Sequence, residues 1–311
     1  MKEFVINEND SGQRIDRFIT KLMPRLPKSM MYKGLRRNCV KLNGRHVRDG
    51  SVFVEEGDLI ALYFKDEFFE PEKVFLYVKP NLDIVYEDDN LIIVNKSVGV
   101  VSHADEQGTA VTLIDMIKSY LYENNEYDPV SEKSFSPSLC NRLDRNTGGL
   151  VIAAKNAMAL RSMNELIRGH KVHKYYMAIA EGYLPERGSL RGWTVREDKI
   201  TSVIDSPVPG AKQVLLDYRV IKHGGGYSLI EVELHTGRTH QIRAQFSAAG
   251  YPLAGDTKYG GHGTSFRQAL RSVRLEFRGI EPESALSYLN GTKVSVAPQF
   301  EKEFEDGIHI P

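Results

Sequence analysis

Residues 140–155 read CNRLDRNTGGLVIAAK. A single acid, Asp144, stands between Arg142 and Arg145, a Thr-Gly-Gly turn follows, and the apolar run 150–154 comes next. A carboxylate flanked by cations is favoured in its ionised form, which suits a nucleophile. A turn that leads into a buried strand gives such a group a rigid base. Taken alone, the string also fits an ion-paired loop before a strand, so its meaning depends on what surrounds it.

The 311 residues suggest two domains, or one large domain with an appendage. With 41 basic against 41 acidic residues and 41% hydrophobic content, the chain reads as an ordinary globular protein with a sizeable core. No run of 18 apolar residues occurs, so no membrane-spanning helix is expected. The start, MKEFVINENDSGQR, lacks an apolar signal core, which favours a cytoplasmic protein. Cys39 and Cys140 form no CxxC and read as reduced thiols; Cys140 has no obvious local base. His235 and His240 lack ligand partners at metal spacing, and neither HExxH nor paired CxxC occurs, so no metal is expected. The glycine-rich strings at 224–227 and 260–263 have neither Walker nor dinucleotide spacing, so no nucleotide cofactor is expected. No GxSxG occurs, which leaves a serine hydrolase of that type unsupported.

The balanced charge hides an asymmetry. Residues 11–48 hold eleven basic side chains against one acid, Asp16, a net charge of +10. A charge run is commonly a solvated face, but one this one-sided within a folded-looking segment favours a polyanion partner. Ile15, Phe18, Ile19 and Leu22 have helical spacing, closed by Pro24 and Pro27. Ser29 is placed to cap a second helix carrying Met30, Leu35 and the pair Arg36-Arg37. Val40 and Leu42 then alternate with polar residues, and Asn43-Gly44 signals a hairpin. EEGDLIALYF, 55–64, adds a turn and a strand. These elements predict a small α/β domain over 1–66, near the lower size limit for an independent core, a polar linker over 67–81, and a second domain over 82–311.

In the second domain, Asp89-Asn90 separates two β-rich runs. Helices are predicted over 110–120, 157–168 and 240–249, a surface loop over 123–138, and strands over 173–182, 213–221 and 227–235. Strand-rich without regular βαβ alternation, this is an α+β pattern with a mixed, largely antiparallel central sheet. In HKYYMAIAEG, 173–182, alternation puts Lys174, Tyr176 and Ala178 on one face. In LHTGRTHQIRAQF, 234–246, Arg238 in the turn and Arg243 in the helix can reach one site. In isolation the tyrosines fit a core and the arginines a solvated helix start.

The ordered series NKSVGVVSH (95–103), NRLDRNTGGLVIAAKN (141–156), KYYMAIAEG (174–182), TGRTHQIRAQF (236–246) and GDTKYG (255–260) resembles the RluA-type family of RNA pseudouridine synthases. The resemblance covers roughly residues 82–280, and the RLDR string with a downstream TGRTHQIR is its most specific part. The N-terminal unit resembles the small RNA-binding domain of a small-subunit ribosomal protein, the S4-like domain; Arg14, Lys28, Lys33, Arg36, Arg37 and Arg45 are its expected RNA-binding residues. The resemblance implies a pseudouridine synthase fold. It makes Asp144 the essential aspartate, Tyr176 the tyrosine that packs on the flipped uracil, and Arg243 the arginine that pairs with the aspartate. Arg142 matches the arginine that enters the RNA stack, and Arg238 and His240 match neighbouring positions. The sequence departs from the family pattern at Asn141, commonly His, at Gly148 in the Thr-Ser-Gly turn, and at Ser97 and Ala104, commonly Pro. In the N-terminal unit Asn38 stands where Gly is usual. PKSMMYKGLRRN resembles members acting on large-subunit ribosomal RNA, so structured RNA of that kind is the expected partner, with tRNA as the alternative. A monomer is expected, no role is assigned to 281–311, and no cofactor or metal is expected.

Isomerising uridine breaks one glycosidic bond and joins the uracil carbon to the same sugar, with no redox change. One ionised carboxylate can attack the anomeric carbon, stabilise a cationic sugar, or take a sugar proton; the sequence leaves all three open. Glycoside hydrolysis ordinarily uses two carboxylates, and the Asp144 string offers one. A non-catalytic RNA-binding protein is the other alternative, and it requires Asp144→Asn to be silent.

Overall fold

The computed structural model describes residues 1–69, 75–104, 111–198, 200–263 and 267–297. Two compact units are present: Met1–Pro80 with Asp115–Ser138 and Ala154–Leu160, and Asn81–Ile114 with Leu139–Ala153 and Arg161–Pro311.

In the first unit, β1 (Lys2–Val5), β3 (Val40–Leu42), β4 (Arg45–His46) and β6 (Leu59–Leu62) form an antiparallel sheet in the order β1-β6-β3-β4. β2 (Gln13–Arg14) pairs separately with β5 (Phe53–Val54). Helix α1 (Ile15–Leu22) buries Ile15, Phe18 and Ile19, three of the four residues whose spacing predicts it. They join Met31, Leu35, Val40, Ile60 and Leu62 in one apolar cluster, where each fully buried aliphatic or aromatic side chain contributes ~1.5–3 kcal/mol. Phe18→Ala would cost this core roughly 3–5 kcal/mol. Helix α2 (Lys28–Arg36) differs from expectation at its start. Ser29 lies inside the first turn and caps nothing; the Pro27 carbonyl accepts from Met30 and Met31 instead, with no side-chain cap. The Asn43-Gly44 hairpin has both residues at positive φ, 49° and 78°, the geometry of a tight two-residue turn. Asn38, where glycine is usual, takes φ 62°, a conformation asparagine tolerates better than most residues.

Phe68 and Phe69, from the polar stretch after β6, pack against this core, and the Phe69 ring stacks on Phe4 at 5.9 Å. The loop after α3 (Leu113–Glu123) belongs to the same unit. Buried Asp10 accepts from the Ser134 amide at 3.0 Å and its hydroxyl at 2.5 Å, Gln13 Nε2 donates to Ser134 Oγ at 2.7 Å, and Asn9 Nδ2 donates to Glu132 at 2.7 Å. Burial pushes the Asp10 carboxyl above its ordinary pKa, against the Ser134 donors.

The second unit is built on an eleven-stranded sheet. Its strands are β7 (Ile84–Glu87), β8 (Leu91–Lys96), β9 (Ser138–Leu139), β10 (Gly148–Ala154), β11 (Val172–Glu181), β12 (Arg187–Glu197), β13 (Ile200–Ile204), β14 (Lys212–Gly224), β15 (Tyr227–Leu234), β16 (Leu270–Phe277) and β17 (Lys293–Ser295). The order is β13-β12-β14-β15-β11-β16-β10-β8-β7, with β9 on β10 and β17 on β16. β10 runs parallel to β16, while β11 is antiparallel to both β15 and β16. With α4 (Ala157–Arg168) and α5 (Gln241–Ala248), this is the α+β pattern with a mixed sheet that the sequence predicts. Helix α3 starts later than expected: Thr112 bridges Val101, and the Leu113 amide donates to the Val101 carbonyl, so the chain is still extended there; residue 110 lies outside the described residues. No helix among the described residues is long and apolar enough to cross a membrane.

β9, β12, β13, β16 and β17 are not among the predicted strands, and β9 begins at Ser138, the last residue of the predicted surface loop. β16, LRSVRLEF, is central and almost wholly buried, yet its arginines read as surface. They have internal partners: Arg271 donates to Asn95 at 2.8 Å, and Arg274 donates to Glu231 at 3.0 Å and lies 4.0 Å over the Tyr175 ring.

Candidate active site

Asp144 sits in a loop that the backbone fixes on both sides. Ser102 Oγ donates to the Leu143 carbonyl at 2.8 Å, and the Thr147 amide closes a turn onto the Asp144 carbonyl at 3.0 Å. The Lys96 ammonium, 1% exposed, donates to the carbonyls of Ser97, Val100 and Arg145 at 3.1, 2.9 and 3.2 Å. It therefore ties the turn after β8 to the residue next to Asp144. Burial pushes its pKa down to about 8, against the pull of the Asp144 carboxylate. Behind the loop, Gly149 has φ 111°, and a Cβ there would lie 2.0 Å from the Ser272 carbonyl oxygen. Gly149 is thus demanded by the close parallel approach of β10 to β16.

The cation that meets Asp144 comes from α5 and not from its chain neighbours. Arg243 Nη1 donates to Asp144 Oδ2 at 3.0 Å, and His240 Nε2 lies 3.8 Å from the same oxygen. Arg145 donates Nε to the Gly99 carbonyl at 3.2 Å, and Arg142 is exposed. The flanking arginines are therefore not the ion-pair partners suggested by their place in the string. Arg243 is itself gripped by Asp256, Nε to Oδ2 at 2.6 Å and Nη2 to Oδ1 at 2.8 Å, and its guanidinium lies 4.9 Å over the Tyr259 ring. The two-pronged grip uses the fork of the guanidinium and leaves Nη1 for Asp144. His240 precedes α5 with φ 53°, a conformation uncommon outside glycine. Its Nδ1 and the Tyr259 hydroxyl are 2.8 Å apart. Burial pushes the imidazole below its ordinary pKa, against the pull of Asp144 and with the push of the Arg243 and Lys258 cations.

Tyr176, on β11, is 5% exposed. Burial drives its phenol well above the ordinary tyrosine pKa, and the Asp144 carboxylate adds to the shift, so it stays neutral. Lys174 shares its side of the strand, as alternation predicts. Asp144, Tyr176, Arg142, Arg238, His240 and Arg243 all line one cavity of about 580 Å³, a size typical of ligand sites. Asp144 is the only acid among the lining residues, against five arginines and lysines. Asn141, where the family commonly has His, turns its side chain to β10: Oδ1 accepts from the Ile152 amide at 2.8 Å and Nδ2 reaches the Leu150 carbonyl at 3.4 Å. Gln241 holds the turn before α5, accepting from Thr236 Oγ1 and the Arg238 amide at 2.9 and 3.0 Å.

Asp256, Tyr259, Lys96 and Gln241 do not stand out in the sequence as individual residues. GDTKYG and NKSVGVVSH mark the strings, but the acid and the lysine that act as supports are recognisable only once the strands converge. No group of three metal-ligating side chains occurs among the described residues. In the first unit, Lys28, Lys33, Arg36, Arg37 and Arg45 are exposed, the first four on or beside α2. Arg14 differs: it is clamped onto buried Asp16, with Nη2 to Oδ2 at 2.5 Å, and the same oxygen accepts from Tyr32 at 3.0 Å.

Residues 90–248, about half of the chain, match the family model described as RNA pseudouridylate synthase. The chain belongs to that family, in keeping with the RluA-type resemblance of its motifs, and is an isomerase that converts uridine to pseudouridine in RNA. An uncharacterized RNA pseudouridine synthase of Chlorobaculum parvum is 31% identical over 263 residues, 82% of this chain and 78% of that protein. The ribosomal large subunit pseudouridine synthase D of Yersinia pestis is 26% identical over 328 residues, 97% of this chain and 96% of its own length. Among solved structures, the human RNA pseudouridylate synthase domain containing 4 has the same fold at a TM-score of 0.55, with 21% identity, over 70% of this chain and 89% of its own.

Proposed function

We propose that Asp144 carries the chemistry, on a uridine flipped out of structured large-subunit ribosomal RNA. The observation that carries this reading is that Asp144 is the lone acid in a cationic cavity and is held there by an arginine that Asp256 fixes. Preorganised support of this kind removes reorganisation from the reacting step. The carboxylate is positioned to act on the ribose, by attack at the anomeric carbon, by stabilising a cationic sugar, or by taking a sugar proton. A single carboxylate argues against hydrolysis, which ordinarily uses two. Arg243 holds Asp144, and Tyr176 packs on the extruded uracil. Flipping costs a few kcal/mol, and stacking on an aromatic ring returns ~1–3 kcal/mol per base. Arg142, exposed at the cavity, fills the gap left in the stack, with Arg238 and His240 beside it.

The ribosomal target rests on the name of the Yersinia pestis relative and on the basic first unit; tRNA is the alternative. Residues 1–66 act as an S4-like RNA-binding domain, with Lys28, Lys33, Arg36, Arg37 and Arg45 meeting phosphates, and 82–311 as the catalytic domain. Arg14, being clamped to Asp16, shapes that surface more than it meets RNA. Purified protein should release tritium from the uracil C5 of a labelled large-subunit ribosomal RNA transcript. Asp144→Asn should lower that release by at least the order of 10³-fold. Retained release sinks the role of Asp144, free uracil as product points to a hydrolase, and turnover of tRNA transcripts alone moves the target.

A further inference from the structure

Lys174 points to a second kind of contact in the same cavity. The alternation that brings Tyr176 to the cavity brings Lys174 there as well, about 6–7 Å along the strand for a two-residue rise. The ammonium lies under the turn before α5: a Cβ on Gly237 would be 3.8 Å from Nζ. Burial lowers its pKa, and no acid offsets the effect. No hydrogen bond or ion pair to this ammonium is made among the described residues. Lys96, by contrast wholly buried, has three carbonyl acceptors, whereas Lys174 is half-buried and open to the cavity. The one acid in the cavity is already engaged by Arg243.

A partly desolvated cation without a protein partner contributes nothing to offset the hydration it has lost. The missing partner is an anion that comes with the substrate, and RNA offers one chemical group of that kind, the phosphodiester. The geometry points to Lys174 as a positioning residue that binds a phosphodiester of the strand carrying the target uridine, one side-chain row from the base held at Tyr176. This rests on the proposed packing of uracil against Tyr176. Anchoring the backbone there fixes the ribose relative to Asp144. Lys174 touches neither the base nor the breaking bond.

The test measures binding of a short oligouridylate to the full-length protein across salt concentrations. Lys174→Met should reduce the magnitude of the slope of log Kd against log salt by about 0.7, the value for one phosphate on a single strand, and Lys174→Arg should keep the wild-type slope. An oligouridylate with neutral methylphosphonate linkages should bind wild type and Lys174→Met with equal slopes. Without RNA, Lys174→Met should melt at a higher temperature, because the variant removes an unpaired, half-buried charge. An unchanged slope, or a lower melting temperature, overturns the assignment. Binding is read without turnover, so the two readings fail separately. Unchanged slopes with intact Asp144-dependent tritium release sink Lys174 alone. A wild type that releases no tritium from any RNA sinks the functional reading and leaves the slopes interpretable.

Discussion

On α2, Lys28, Lys33 and Arg36 stand in solvent, while Arg243 is 7% exposed and bonded to two carboxylates. Both regions are cationic, but the physics differs. An exposed lysine or arginine is screened and mobile, and it contributes salt-dependent affinity with little geometric precision. A buried guanidinium with every prong engaged contributes position, and its loss leaves charges uncompensated. The first region should therefore tolerate exchange of one cation for another, and the second should not.

The sharpest way to break this contrast, after removal of Asp144 itself, is Asp256→Asn. The substitution keeps the size of the side chain and removes the charge that grips Arg243. We expect kcat to fall on the order of 10²-fold, through misplacement of Arg243 and Asp144, with stability reduced by roughly 3–5 kcal/mol for a broken buried pair. Arg243→Lys should lose most of kcat too, since an ammonium cannot span Asp256 and Asp144 with a fixed fork. Single-turnover rates at saturating RNA, with denaturant melts, check both. Wild-type kcat in either variant would mean that the buried network is structural only.

The motifs make half of this network legible. The chemistry proposed for Asp144, Tyr176 and Arg243 dictates their residue types, so their strings stand out. Asp256 and Lys96 act through other residues, and an acid in a loop or a lysine ending an apolar strand has many ordinary readings. The fold divides the same way. α1, α4, β11, β14 and β15 have clean periodicity and lie within a few residues of their predicted spans, whereas β16 hides behind arginines whose partners, Asn95 and Glu231, lie far away in sequence. β1 has only four residues and pairs with β6, more than fifty residues on.

Lys96 sharpens the comparison through pH. Its folded pKa, about 8, lies below the ordinary lysine value of 10.5. The unfolded chain therefore binds more protons between these values, and stability rises with pH across that window. The gain is about 3 kcal/mol for a shift of this size, and it should vanish from the wild-type profile in Lys96→Met. Activity should move the other way. Above pH 8 the neutral amine has two protons for three carbonyl acceptors, the Asp144 loop loosens, and kcat falls. A stability profile that is the same in the variant and the wild type from pH 8 to 10.5 would remove Lys96 from this account.

The smallest effect on chemistry should come from the exposed region. Truncating residues 1–65 is a poor probe, because it strips Ser134 of Asp10 and Gln13 and so disturbs more than charge. Replacing Arg36 and Arg37 together by Glu leaves those hydrogen bonds in place. The double variant should bind RNA more weakly, with the salt slope reduced by ~0.7–0.9 for each phosphate no longer neutralised, while kcat at saturating RNA stays within about twofold, as expected when only ground-state and transition-state binding are lowered together. Arg36→Lys with Arg37→Lys should be nearly silent in both readouts, which Arg243→Lys should not be. If the lysine pair lowers affinity as far as the glutamate pair, these arginines recognise RNA through their planar fork, and the distinction between a screened cationic surface and a fixed cationic site no longer holds.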